Sequence, residues 1–248
     1  MLLRLKFLYG VKNTISIYIF ILKYSKLIDF FYSILIFKII FLSSNKQKRL
    51  SSSQIKIKYK NKYRFNHKDW FSKNIPIWNF IFKNENIFSK KINYLEIGSF
   101  EGRSTIFMAE NIKNIHINVV DPFVASEELS NIDFKLIFKT FTNNIAAFKN
   151  KIKINKTTSD IFFKKNKKKF DIIYVDGAHN KEQVKSDSLN ALKYLNKDGI
   201  IIFDDLLWGF FNKDSCNNPI NALLPFLRKN INKIKVLHLN YQLIIKKK

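Results

Sequence analysis

Residues 94–105 read YLEIGSFEGRST. An apolar run closes on Glu96, glycines follow at Gly98 and Gly102, and Ser104 and Thr105 open the next segment. The run before the glycines has the length and composition of a buried strand. The residues after them have helical spacing over 104–112, with Ile106, Ala109 and Ile112 on one face. The whole chain has six glycines and places two of them in this turn. Glycine permits positive φ and close backbone approach, and a turn leading into a helix N-terminus presents free N–H groups to an anion. A dinucleotide fingerprint would be G-x-G-x-x-G, whereas this turn is G-x-x-x-G with Phe100 inside it. A P-loop would carry Lys after its last glycine, and here Arg103 follows Gly102. The spacing therefore suits a small anion such as a carboxylate better than a phosphate. On this motif alone, a plain strand–helix turn without a ligand stays open.

Outward from the turn, strand-like and helix-like runs alternate. Strands are expected at 93–97, 116–120, 152–154, 170–175 and 199–203, with a closing pair at 234–239 and 241–245. Helices are expected at 104–112, 134–148 and 183–195, the last with Val184, Ser188, Ala191, Leu192 and Leu195 on one face. This order predicts an α/β fold, Rossmann-like and doubly wound. Its seven-stranded sheet is mostly parallel with an antiparallel C-terminal pair. Such sheets bind ligands beyond the carboxyl ends of their strands. The acids collect there: Glu96, Asp121, Asp160 beside Ser159, Asp176, then Asp204 and Asp205. With only 19 acids in 248 residues, that placement is informative. Asp121 at the second strand end suits the two hydroxyls of a ribose, a position the Rossmann logic assigns to an acid.

The net charge is 44 − 19 = +25, which invites a nucleic-acid reading. The excess is lysine, spread beside Asn, Ile and Phe along the whole chain, and reads as a compositional bias. The densest run, KKNKKK at 164–169, reads as a solvated loop before a strand. Cys216 is the single cysteine, so no intramolecular disulfide and no thiolate metal cage can form.

Residues 1–60 stand apart, with twelve Lys/Arg and one acid, Asp29. Their apolar runs at 13–22 and 30–37 are shorter than the roughly 20 residues of a spanning helix, and no small-residue cleavage site follows. They read as a basic, apolar helical extension that packs on the main domain or a second subunit, or that lies on anionic lipid. Residues 43–55 read as a linker, and 61–248 as one domain. In the lead-in HKDWFSKNIPIWNFI (67–81), two helices broken at Pro76 are expected, with Trp70 and Trp78 as packing residues.

At this point the chain resembles the class I S-adenosylmethionine-dependent methyltransferases, in particular their small-molecule O-methyltransferase branch. The likeness rests on EIGSFEGRST (96–105) and on IYVDGAHNKEQVKSD with GIIIFDDLLW (173–208), and spans about 69–247. It implies that Glu96, Gly98 and Gly102 shape the site for the cofactor's methionine end. Phe100 and Ser104 would line it, Asp121 would hold the ribose, and Ser159 and Asp160 would reach the adenine. In the catechol O-methyltransferase group, the positions of Asp176, Asp204 and Asp205 hold Mg²⁺. This chain has Asp-Asp where that group has Asp-Asn. His179 stands where the group carries a lysine base, and an imidazole of ordinary pKa near 6.5 suits taking a proton from a hydroxyl. His179 and Asp176 are thus the implied catalytic pair. His67, His116 and His238 read as structural.

The expected function is transfer of a methyl group from S-adenosylmethionine to a hydroxyl of a small molecule or glycan, with Mg²⁺ as an optional partner. Two other readings are kept: an RNA methyltransferase, or a non-catalytic membrane-surface protein on the same fold. No Asn/Asp-Pro-Pro-Tyr motif of amino-methylating enzymes is present. A cytoplasmic setting is expected, with peripheral membrane contact through residues 1–45 and self-association both left open. Acceptor choice is expected to lie in 69–82 and 206–221.

Overall fold

The computed structural model describes residues 62–125, 129–208, 218–239 and 241–248. The expected N-terminal extension, its linker and Cys216 lie outside the described residues, as does most of the expected acceptor loop at 206–221.

A short 3₁₀ turn, Ser72–Asn74, leads into helix α1, Ile75–Asn84. Strand β1 (Ile92–Ile97) passes through the glycine turn into α2 (Arg103–Asn111) and β2 (Ile115–Val120). Then come α3 (Phe134–Ile145), β3 (Ile152–Asn155), α4 (Ser159–Lys165) and β4 (Phe170–Val175). After these follow α5 (Lys181–Tyr194), β5 (Leu195–Phe203), α6 (Ile220–Asn230), β6 (Ile234–Leu239) and β7 (Leu243–Lys247). The strands form one seven-stranded sheet in the order β3-β2-β1-β4-β5-β7-β6. Strands β1 to β5 pair in parallel, and β7 runs antiparallel between β5 and β6.

The sheet is covered on both faces, which is why its central strands read as nearly unbroken apolar runs. The pleat divides their side chains. Tyr94, Ile172, Tyr174, Ile200 and Ile202 face α1, α2 and α3 across a core of Trp78, Phe82, Phe107 and Phe141. Leu95, Ile173, Val175, Ile201 and Phe203 face α4, α5 and α6 across Phe163, Val184, Leu223 and Phe226. Among the described residues, three helices start on side-chain caps. Asp133 accepts from Lys135 N and Leu136 N, Thr158 from Ile161 N, and Asn180 from Gln183 N.

The sequence expectation needs correction at several places. Strand β5 begins at Leu195, four residues before the expected start, and takes the last residue of the expected helix 183–195. Pro76 does not break a helix pair. It sits in the first turn of α1, where a missing N–H costs nothing. Helix α4 was not expected, because its seven residues are too few to show a period. Helix α6 was not expected either, and it carries Pro225 inside it. The last strand begins two residues later than read, because Gln242 turns inward to bond Trp78. Trp78 is fully buried, as expected of a packing residue, while Trp70 is largely exposed.

Candidate active site

The loops at the carboxyl ends of β1, β2, β4 and β5 meet at one end of the sheet. Gly98 has φ +81°, and a Cβ there would lie 2.0 Å from the Asp176 carbonyl oxygen. Asp176 N donates to Ile97 O at 2.8 Å. The glycine turn and the DGAH loop are therefore in direct backbone contact. Gly102 has φ +86°, forms the N-cap of α2 and offers no side chain to cap it. A Cβ there would meet the Phe141 ring at 3.0 Å. Each glycine thus has a structural reason to be glycine, independent of any ligand.

Two buried acids organise this turn. Glu96 accepts from Ser104 Oγ and, at 2.7 Å, from Thr105 Oγ1, tying the end of β1 to the first turn of α2. Burial pushes its carboxyl up to about 7; the two hydroxyls pull the other way, and the Asp121 charge adds to the rise. Asp121 Oδ2 accepts from Ser99 N at 2.8 Å and Phe100 N at 3.2 Å, and its Oδ1 from Phe123 N at 2.7 Å. Burial raises its pKa while those three amides oppose the rise. A carboxylate has about four acceptor positions, so one remains for a ligand hydroxyl. Asp121 therefore first holds Phe100 and Phe123, both at positive φ, in place.

The outer side of the turn anchors the lead-in. Buried Glu101 accepts from Asn66 N, His67 N and His67 Nδ1 at 2.9–3.2 Å. Arg103 donates to His67 O at 3.1 Å and lies 3.7 Å over the Phe65 ring. Phe100 is packed between His67, Trp70 and Phe134. Sequence reasoning gave Glu101 and Arg103 no role; their position inside the glycine turn was the available signal.

At the β4 and β5 ends, the structure brings together Asp176, His179 and Asp205, each offering one donor atom within 4.8 Å of the others. His179 Nε2 lies 3.1 Å from Asp205 Oδ2, and the imidazole stacks on Trp208 at 4.6 Å between ring centres. Asp205 adopts φ +50° to reach this place. Burial pushes its carboxyl up, but His179, Tyr241 and Lys73 outweigh burial and leave it below its ordinary value.

Asp204, expected beside these as a metal ligand, turns the other way. Its Oδ2 accepts from Tyr174 OH at 2.5 Å, Gln242 Nε2 at 2.8 Å and Asn74 Nδ2 at 3.2 Å, and its Oδ1 from Asp205 N at 2.8 Å. Its acceptor positions are filled from within, and the donor atoms that converge are those of Asp176, His179 and Asp205. Tyr174 OH also reaches Asp176 Oδ2 at 2.8 Å, and burial with the neighbouring Asp204 and Asp205 charges raises the Asp176 pKa strongly.

Ser159 and Asp160 open α4, and their side chains join it to α5. Ser159 Oγ accepts from Gln183 Nε2 at 3.1 Å, and Asp160 Oδ1 from Ser186 Oγ at 2.9 Å. Ser104 spends its hydroxyl on Glu96 rather than facing outward.

Comparison with known proteins gives matches to methyltransferases. Residues 95–206, from β1 to just beyond β5, match the family model described as a methyltransferase domain. That stretch, a little under half of the chain, is therefore similar to a methyltransferase domain. An uncharacterized protein of Acanthamoeba polyphaga mimivirus is 30% identical over 122 residues, 48% of this chain and 54% of that protein. The chain thus spans about half the length of the curated relative it matches. A Staphylococcus aureus structure assigned as a caffeoyl-CoA O-methyltransferase superposes with a TM-score of 0.56 at 19% identity, covering 84% of this chain and 97% of that one. MycE methyltransferase of the mycinamycin biosynthetic pathway, solved with Mg and SAH, superposes with a TM-score of 0.54 at 16% identity, covering 79% and 54%. These structural likenesses establish the fold. The stretch matched by the family model contains the glycine turn, Asp121, Asp176, His179 and Asp205.

Proposed function

We propose that this chain transfers a methyl group from S-adenosylmethionine to a hydroxyl of a small molecule or glycan. The observation that carries the reading is the backbone contact between Gly98 and Asp176, which sets a ligand turn against an acid–imidazole cluster at one sheet end. The turn suits the cofactor on this structure's own terms. The Ser99 hydroxyl is buried in it without a hydrogen-bond partner, α2 begins without a side-chain cap, and Asp121 keeps one acceptor position. A buried polar atom without a partner is costly, and a polar ligand there relieves it.

When bound, S-adenosylmethionine supplies a methyl group on a sulfonium sulfur, open to in-line displacement. The α2 N-terminus and Ser99 hold the ligand carboxylate, and Asp121 takes one hydroxyl. His179 removes the acceptor proton, while Asp205 fixes the ring and stabilises its protonated form. Trp208 covers one face of the imidazole, restricting its rotation. A divalent cation is a second reading, favoured by the three converging donors. Asp176 and Asp205 would hold it, and it would polarise the acceptor hydroxyl. Mg²⁺ prefers oxygen, so the imidazole in the set points as well to Mn²⁺ or Zn²⁺.

Calorimetry with S-adenosylhomocysteine tests the cofactor assignment. Micromolar binding is expected for the wild type, and about tenfold weaker binding for Asp121→Ala. Absence of wild-type binding, or equal binding by the variant, would sink it. An acceptor screen with labelled cofactor, run with chelator and with added metal, then separates imidazole-driven from cation-driven transfer.

A further inference from the structure

The end of the sheet away from the glycine turn has the opposite chemistry. Strands β1 to β5 are parallel, and β6 shares their direction because β7 is antiparallel to both β5 and β6. The segments that enter β1, β4 and β6, and the last residues of β7, therefore lie together, opposite the site. Lysines crowd them. Lys90 and Lys91 precede β1, Lys167, Lys168 and Lys169 precede β4, and Lys233 precedes β6, while 246–248 end the chain. The first six of these are exposed.

The crowding is built in. Asn166 fixes the loop before β4, donating to Lys168 O at 2.8 Å and accepting from Lys168 N at 3.2 Å. Lys247 Nζ bonds the carbonyls of Leu192 and Leu195 at the end of α5, at 3.2 and 3.0 Å. Partial burial pulls the Lys247 pKa down, and the neighbouring Lys169 and Lys233 charges pull it further. Acids at this end are already engaged. Asp171 accepts from Asn93 N and Asn196 Nδ2, and Glu85 and Asp198 both face Lys246.

A general lysine bias does not sort charges to the two ends of a sheet. Helix dipoles favour the lysines in the last turns of α4 and α5, but Lys90, Lys91 and 167–169 lie outside helices. The point where the rest of the chain joins is equally telling. Lys62 Nζ and Tyr63 OH bond Glu110 in the last turn of α2, at 2.6 and 2.7 Å, and Lys62 lies 5.8 Å from the centre of the Phe148 ring just before β3. Lys62, the first described residue, thus lies at the lysine end, and the sequence before it carries twelve more Lys/Arg in residues 1–60.

We propose that this lysine-rich end of the domain docks on an anionic lipid surface and leaves the glycine turn facing water. Seven strands at about 4.8 Å spacing give a face roughly 30 Å across, broad enough for many lipid headgroups. Its cations are lysines, suited to a diffuse negative surface. Among the described residues the exposed tryptophans, Trp70 and Trp208, lie at the other end, away from the lysines, where they could not serve them as a platform for stacking nucleic-acid bases.

Co-flotation of the full chain with phosphatidylcholine vesicles, with and without phosphatidylserine, tests the proposal. Binding is expected only with phosphatidylserine, and is expected to fall on raising salt. The triple variant K167E/K168E/K169E is expected to bind about a hundredfold more weakly. A variant of equal net charge at the site end, K135E/K139E/K185E, is expected to keep most of the binding. Equal losses in the two variants would overturn the proposal by making net charge the cause. Unchanged binding by the first variant would overturn it by assigning binding to residues 1–61 alone. Tighter binding of a single-stranded RNA oligomer than of the vesicles, lost in that same variant, would replace the lipid with nucleic acid. Folding of both variants is checked by circular dichroism and retained S-adenosylhomocysteine binding.

Discussion

Two strand-end turns build the site, and they differ in how they treat their acids. After β1, Glu96 points inward to Ser104 and Thr105, and the glycines that follow let the backbone lie against Asp176. After β5, Asp204 points inward to Tyr174, Asn74 and Gln242, while Asp205 swings to φ +50° and meets His179. In both turns one acid is spent on internal hydrogen bonds, and the groups beside it are the ones left facing the sheet end. In the first turn glycine supplies the unusual backbone; in the second an aspartate does, a residue type that tolerates the left-handed region better than most. The lesson is that consecutive acids at a strand end do not share an environment, because the pleat sends their side chains opposite ways.

The largest effect should come from breaking the first turn at its contact with the second. In Gly98→Ala the new methyl would fall 2.0 Å from a backbone carbonyl, at φ +81°. No rotamer relieves it, so β1 and β4 must separate at their ends. A loss of about 4 kcal/mol is expected, or failure to fold, read by chemical denaturation. A loss below about 1 kcal/mol would show that the two turns are not in contact.

The inward acid of the first turn gives the next test. Glu96 rises from 4.5 to about 7 on folding, chiefly through burial. Between those values the native state holds a proton that the unfolded chain has released, so stability falls as pH rises from 4.5 to 7. Two and a half units at 1.36 kcal/mol each give about 3 kcal/mol. Glu96→Gln should remove this slope, leaving a flatter profile of unfolding free energy across that window. Identical slopes in variant and wild type would rule out Glu96 as its source.

The contrast between the turns also explains what the sequence could reveal. Strands β1, β4 and β5 were readable because burial on both faces makes them continuous apolar runs, and the glycine turn because only glycine fits there. Helix α6 was not, because Pro225 mimics a loop signal, and α4 was too short to show a period. Around the candidate site, Asp121, Asp176 and Asp205 were legible as acids where a buried strand must end, and His179 only through the family resemblance. The direction of Asp204 was not. Its partners Asn74 and Gln242 lie 130 and 38 residues away in sequence, and nothing local marks either as belonging to the site.

Asparagine variants of the two β5-end acids sharpen this difference. Asp205→Asn keeps a residue tolerant of positive φ but removes the charge facing His179. Its transfer rate should fall about a hundredfold, with a melting temperature close to wild type. Asp204→Asn turns one acceptor oxygen into a donor facing Tyr174, Asn74 and Gln242. Its main effect should be on stability, about 2 kcal/mol. Reversed outcomes, with Asp204→Asn dead but stable and Asp205→Asn active but weak, would exchange the two roles and restore Asp204 as the ligand-facing acid.

The smallest effect separates the two glycines of the first turn from each other. Gly102 has nearly the same φ as Gly98, but its missing Cβ faces the ring of Phe141 rather than a carbonyl. A ring on the neighbouring helix can tilt by a few tenths of an ångström; a backbone hydrogen-bonded into a sheet cannot. Gly102→Ala should therefore cost little beyond the left-handed conformation itself, about 1–2 kcal/mol, and the protein should still bind S-adenosylhomocysteine. Equal losses for the two alanine variants would mean that φ sets both, and that the approach of Asp176 to Gly98 adds nothing. A clear gap makes the contact between the turns, rather than the turn conformation alone, the feature that fixes the first glycine.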